Sequence, residues 1–249
     1  MNTTRTNHCG PDDDRPIAHP DRVRWNGKHE VAVATFAPHP LVDCALEVGL
    51  VPGPVLELAC GMSGSALELA GRGRQVTAVD VSDVALIRLM TEARRRGVAE
   101  HINPINCDLL AFAPRDQAFA LVLTTFYWDR SVFGRACAAV MPNGMLAWEA
   151  VASEEDGFRR DWTVGPGEPA SLLPQRFEVV EQRTMIGSNH RSRRLLARAA
   201  RVTSTQSEQH SRPAENAGRK SAKNSLTDVM NEILPVKLPL ADQPPGHRS

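Results

Sequence analysis

Residues 55–80, VLELACGMSGSALELAGRGRQVTAVD, leave few architectures open. VLELAC (55–60) is a short apolar run of strand length, GSALELAGRG continues as a helix closing on Gly71 or Gly73, and QVTAVD (75–80) is rich in β-formers. The alternation then repeats. SDVALIRLMTEARRRG opens on the cap residue Ser82 and ends at Gly97. INPINC (102–107), AFALVLTT (118–125) and GMLAWEA (144–150) supply three more strands, and RSVFGRACAAVMPNG between the last two reads as a helix stopped by Pro142 and Gly144. Such repetition predicts an α/β fold, a doubly wound, mainly parallel sheet with helices on both faces. Ligands of such sheets bind beyond the C-terminal strand ends, near the topological switch point. The rhythm breaks at RFEVVEQRTM (176–185) and RSRRLLARAARV (191–202), joined by IGSNH. Two strands in hairpin succession fit this region, yet Leu195, Leu196, Ala199 and Ala200 equally mark a helix.

Length and composition set the limits of this body. The chain has 249 residues, with 29 basic and 29 acidic side chains and no formal net charge, a balance that argues against a phosphate-backbone binder. The first 23 residues, rich in Pro and Asp, read as a flexible lead-in; residues 24–202 form the folded domain; residues 203–249 read as a disordered tail. Within that tail, LTDVMNEIL (226–234) is amphipathic at helical spacing and short enough to be only transient. The polar start is not a secretory signal, and the longest nearly apolar run, 118–128, falls far short of a bilayer span. Five dispersed cysteines without a CxxC pair suggest reduced thiols and a cytoplasmic protein. The histidines have no ligand spacing, so no metal site is expected.

The glycines after the first strand, Gly61-x-Ser63-x-x-Ala66, make a defective version of the dinucleotide G-x-G-x-x-G. An NAD(P)-binding oxidoreductase is therefore the weaker reading. The acids point elsewhere. Glu57 lies inside the end of the first strand, where its carboxylate can accept from an ammonium held above the loop; Gly61 lets the backbone approach a ligand without a Cβ. Asp80 ends the second strand, where a carboxylate suits both ribose hydroxyls, and Asp108 ends the third, with the amide of Leu109 beside it, facing an adenine edge. Each acid alone has a plain role as a cap or turn former; three at successive strand ends describe S-adenosylmethionine.

VLELACGMSGSALELA, VTAVDVS and NCDLLAF resemble the class I S-adenosylmethionine-dependent methyltransferases, and VLTTFYWDRSVF with VMPNGMLAWEA resembles their fourth strand, helix and fifth strand. RWNGKH (24–29) and the Asp129-Arg130 pair are similar to the tellurite-resistance and thiopurine-methyltransferase-like branch. The resemblance implies a Rossmann-like methyltransferase fold of seven strands with a C-terminal antiparallel hairpin. It also implies that Glu57, Gly61, Asp80, Val81, Asp108, Leu109 and Thr124 bind the cofactor, Thr124 beside its methionine part. Ala59 and Ser63 depart from the family's glycines, and Ser63 would narrow the loop.

Methyl transfer is an in-line displacement that rests mainly on positioning and exclusion of water. The expected acceptor is a small molecule, a thiol or chalcogen compound that needs no general base. The alternatives are an oxygen or nitrogen methyltransferase, with Tyr127, Asp129 or His29 as base, and a catalytically silent cofactor-binding module. Glu149 is a further acid at the fifth strand end. Tyr127 and Trp128 also read as pocket walls, Arg130 as an early helix residue, and Trp25 and Lys28 as a flap or a packing contact. No RNA-binding module, nucleic-acid partner or membrane segment is indicated, and the oligomeric state is left open.

Overall fold

The computed structural model describes residues 8–9, 19–153, 162–187 and 191–201. The chain divides at Thr203 into two units, and everything described belongs to the first. The expected tail and its amphipathic stretch lie outside the described residues. Along the chain run β1 (His8–Cys9), α1 (Pro20–Val31), α2 (Pro40–Val48), β2 (Val55–Leu58), α3 (Gly64–Gly71), β3 (Val76–Asp80) and α4 (Asp83–Arg96). There follow β4 (Ile102–Asn106), β5 (Phe112–Ala113), β6 (Phe119–Thr125), α5 (Arg130–Ala139), β7 (Val140–Val151), α6 (Glu168–Ser171), β8 (Phe177–Ile186) and β9 (Arg191–Ala199).

Seven strands form one sheet in the order β4-β3-β2-β6-β7-β9-β8, and β1 pairs separately with β5. β2 is parallel to both β3 and β6, so the order reverses there, and β9 lies antiparallel between β7 and β8. This is the expected doubly wound sheet, with residues 191–199 a strand rather than a helix. Both faces are covered. Leu41, Val42, Leu67, Leu69, Leu89, Met145 and Leu196 pack on one side, and Phe133, Trp148, Leu146 and Leu195 on the other.

Helix ends follow their capping chemistry. Ser63 and Ser82 accept hydrogen bonds from Ala66 N and Ala85 N, and Gly97 closes α4 in the left-handed region. Two helix boundaries differ from expectation. α1 starts at Pro20, inside the supposed lead-in, and α5 ends at Ala139, so Pro142 lies within β7, where the register shifts between Phe119 and Leu121. A register irregularity is where a residue lacking an N–H costs a sheet least. Cys107 is disulfide-bonded, which corrects the expectation of five reduced thiols; Cys44, Cys60 and Cys137 are free. No helix among the described residues is long and apolar enough to cross a membrane.

Candidate active site

The topological reversal at β2 brings Glu57, Asp80 and the loop 59–63 together at the C-terminal strand ends. Glu57 is buried, and both its oxygens lie 2.8 Å from Ser63 Oγ. Ser63 Oγ also accepts from Ala66 N at 2.8 Å. Serine in the family's glycine position thus holds the Glu57 carboxyl while capping α3. The glycine function moves one residue on: a Cβ on Gly64 would lie 2.2 Å from the Ala37 carbonyl oxygen, so only glycine lets the 36–37 backbone cross the start of α3. Gly61 has φ +55° and Ala59 φ +49°, so the loop turns through the left-handed region twice.

Asp80 is also buried. Its oxygens accept from Gly61 N at 2.7 Å and Ser82 N at 2.8 Å. Desolvation pushes both carboxyls up, Glu57 to about 8. Among the described residues no cationic side chain pairs with Glu57. A buried carboxyl held in place without a cation fits a ligand that brings its own positive charge and hydrogen-bond donors, as S-adenosylmethionine does. Further along the sheet edge, Asp108 Oδ1 accepts from Leu110 N at 2.9 Å, and His19 Nε2 stands 3.5 Å from Asp108 Oδ2. Leu109 is buried and the Val81 carbonyl accepts from Arg22 Nε at 3.2 Å. Thr124 is fully buried, its hydroxyl 3.4 Å from the Leu58 carbonyl.

Helix α1 covers this edge. Asn26 bonds Ser82 and Asp83, and the Arg88 guanidinium holds the carbonyls of His29 and Ala32. His29 faces the loop, its Cε1 3.4 Å from where a Gly61 Cβ would stand. Burial lowers its pKa against the attraction of Asp80, so the ring is neutral at physiological pH. Trp25 stacks on His29 at 5.9 Å with Lys28 Nζ 4.3 Å above its ring, a packing contact within α1.

The other two expected bases are differently placed. Tyr127 packs against the core, and burial, then Asp129, pushes its phenol well above the ordinary range. Asp129 is the N-cap of α5: Oδ1 accepts from Ser131 Oγ at 2.6 Å and Val132 N at 2.9 Å. Burial opposes ionisation, but those bonds outweigh it and hold the pKa below the usual value. Arg130 opens α5 and pairs with Glu168.

A second polar cluster lies beyond β6 and β7, and the sequence pointed only to Glu149 in it. Glu149 is buried and takes hydrogen bonds from Ser192 Oγ at 2.6 Å and Arg194 Nε at 2.8 Å. His39, the N-cap of α2, accepts from Leu41 N through Nδ1 and places Nε2 3.8 Å from Glu149. Phe126, at φ +58°, meets His39 edge-on, the ring centroids 5.6 Å apart. The one local clue was His39-Pro40 ahead of an apolar run, a helix start rather than a site signal. No group of His, Cys, Asp and Glu among the described residues is arranged to hold a metal ion.

Residues 55–144 match the family model of a methyltransferase domain. No curated protein sequence matches the chain. The fold is similar to that of TehB from Haemophilus influenzae, at 18% identity over 72% of this chain and 66% of that one, with a TM-score of 0.56. It is also similar to geranyl diphosphate C-methyltransferase from Streptomyces coelicolor A3(2), solved with Mg2+, geranyl diphosphate and S-adenosyl-L-homocysteine (13%, 80% and 89%, 0.54). A third is magnesium protoporphyrin IX methyltransferase from Synechocystis PCC 6803 with bound SAH (14%, 64% and 80%, 0.53). The strand order, the loop after β2 and the methyltransferase-domain match over residues 55–144 agree with one another and support a class I S-adenosylmethionine-dependent methyltransferase, an enzyme that transfers methyl groups from that cofactor.

Proposed function

We propose that the protein methylates a small molecule through a soft nucleophile, a thiol or another chalcogen compound. The observation that carries this reading is the placement of the expected bases. Asp129 is consumed as a helix cap, Tyr127 is buried with a raised pKa, and His29 sits at the cofactor loop on the Asp80 side. A soft anionic sulfur or its heavier congeners require none of them, whereas an alcohol, phenol or amine ordinarily does. The likeness to TehB agrees with the tellurite-resistance and thiopurine-methyltransferase-like branch.

In this reading Glu57 receives the cofactor's ammonium, Gly61 lets the loop approach it, Asp80 with Val81 holds the ribose, and Asp108 with Leu109 meets the adenine. Thr124 packs beneath the methionine end from inside the sheet. S-adenosylmethionine supplies an electrophilic methyl carbon on a sulfonium. The chain's part is to orient that sulfonium toward the acceptor and keep bulk water away.

Calorimetry with S-adenosylmethionine, S-adenosylhomocysteine and NAD, followed by transfer of labelled methyl to thiols, selenite, phenols, amines and cell extract, tests the proposal. Binding of the first two ligands and label on sulfur or selenium is expected. Label on phenols or amines alone, lost when His29 becomes Ala, overturns the soft-acceptor reading in favour of a base-dependent enzyme. Binding without transfer to any acceptor favours the silent module.

A further inference from the structure

Of the five cysteines in the chain, Cys44, Cys60 and Cys137 are free and Cys107 is disulfide-bonded. A disulfide within one chain takes two cysteines, and the count leaves Cys9 for it. The backbone brings the two segments together. β1 pairs antiparallel with β5, Cys9 opposite Phe112, a short way along the chain from Cys107. A ladder of two residues on each side is marginal by itself, so a covalent tie beside it decides whether β1 stays in place.

Cys107 directly precedes Asp108 and Leu109. It is fully buried, and its N–H donates to the Asp80 carbonyl at 3.0 Å. Asn106 Nδ2 donates to the carbonyls of Asp80 and Val81 at 3.1 and 2.9 Å. On the far side of Cys107, the Asp108 carbonyl accepts from Ala111 N and Phe112 N at 2.9 and 3.0 Å. The turn 108–112 therefore rests at one end on the strand that carries Asp80 and at the other on β1. Arg135 holds its middle through the carbonyls of Leu109 and Leu110. The seven-stranded sheet includes neither β1 nor β5, so release of β1 leaves every strand pairing of that sheet intact. Such an opening is local rather than global.

We propose that Cys9 and Cys107 form a redox-responsive clasp, which when closed pins β1 against the 108–112 turn and when opened by a dithiol reductant lets that turn loosen and S-adenosylmethionine bind more weakly. The inference rests on the cofactor reading above, which gives Asp108 and Leu109 to the adenine. Opening is a thiol–disulfide exchange: the S–S bond breaks, the dithiol supplies two electrons and two protons, both cysteines become thiols, and the reductant leaves as its own disulfide. A bond that only braces the fold behaves differently. Closing so long a loop, it acts mainly on the unfolded chain, and cutting it lowers Tm without changing the affinity of the folded protein. A clasp is reciprocal: cofactor that binds the closed form more tightly shifts the disulfide equilibrium toward oxidation by the same factor.

The test uses the full-length protein purified without reductant, with S-adenosylhomocysteine titrated in by calorimetry before and after dithiothreitol, well below Tm. Peptide mapping of the unreduced protein is expected to find Cys9 joined to Cys107. Reduction is expected to weaken S-adenosylhomocysteine binding about fivefold or more, because a loosened turn must be re-ordered on binding, while near-ultraviolet circular dichroism reports an intact fold. Cys9→Ser is expected to bind at the weakened level with or without dithiothreitol. In glutathione buffers, saturation with S-adenosylhomocysteine is expected to favour the disulfide by the same factor. Equal affinity in the two redox states overturns the clasp, as does a Cys107 thiol that alkylates in the unreduced protein, a bond to another cysteine, or a Cys9→Ser variant that still responds to reductant. Loss of the near-ultraviolet signal on reduction overturns it in favour of a purely structural bond. Protein that binds no S-adenosylhomocysteine in either state overturns the cofactor reading beneath it.

Discussion

At the scale of single residues, Ser63 carries more of the site than its departure from the family pattern suggested. Its hydroxyl touches Glu57 and caps α3 at once. Ser63→Gly should therefore cost stability of about 0.5 kcal/mol or less through the cap, and should weaken S-adenosylmethionine binding in calorimetry by freeing the Glu57 carboxyl. Asp80→Ala should lower that affinity by an amount on the order of 1–3 kcal/mol, because it leaves ribose hydroxyls and the Gly61 amide unpaired. Glu57 adds a pH dependence. Burial raises its folded pKa to about 8 from an ordinary value of 4.5, so the folded state binds the proton more tightly than the unfolded chain. The stability it contributes is present below pH 4.5 and is lost as pH rises through 8. The ligand-free protein's Tm should fall over that range, and Glu57→Gln should flatten the profile. A cofactor ammonium favours the ionised carboxyl, so cofactor binding near neutral pH should release a proton, measurable as a buffer-dependent heat.

At the scale of elements, α3 and α5 separate structural roles from chemical ones. Gly64→Ala forces a Cβ against the Ala37 carbonyl and should destabilise by about 1–3 kcal/mol, read as a lower Tm. Asp129→Ala removes the α5 cap and should cost about 1 kcal/mol of stability. Its turnover should fall less than tenfold, where loss of a true base would cost a hundredfold or more. The elements also show what the sequence made legible. β2, α3, β3 and α4 announced themselves because apolar, β-rich runs of strand length, the Ser82 cap and the closing glycines all agreed. β9 did not: LLARA is buried on both sheet faces, so the alternation that marks a one-sided strand is absent and a helix reads equally well. α1 was missed because it buries no residue fully and docks through Arg22, Asn26 and Arg88 instead of an apolar stripe. The acids Glu57, Asp80 and Asp108 could be singled out because each lies at or just past the end of a strand that its own segment marks. The His39–Glu149–Arg194 cluster was not, since its members come from three elements far apart in the chain and meet only through the sheet.

At the scale of the whole molecule, the fold places the residues proposed for the cofactor on β2, on β3 and just after β4, and the His39–Glu149–Arg194 cluster at the α2 N-cap and on β7 and β9, either side of the reversal in strand order. A fragment of residues 1–203 should bind S-adenosylhomocysteine like the full chain, because every described residue of the site lies within it; a tenfold loss would place part of the site beyond Thr203. The position of β9 has a consequence for how the molecule is made. The last described strand is inserted between β7 and β8, and it also carries Arg194. As the chain leaves the ribosome, every parallel strand emerges before the strand that completes their sheet. Until about residue 199 is free, the long edge of β7 lies open and Glu149 has no counter-charge. The nascent domain therefore passes through an aggregation-prone form just before its sheet is complete. A chain stopped at residue 190 should precipitate or be held by chaperones where one stopped at 203 stays in solution, which pulse-labelled translation followed by centrifugation would reveal.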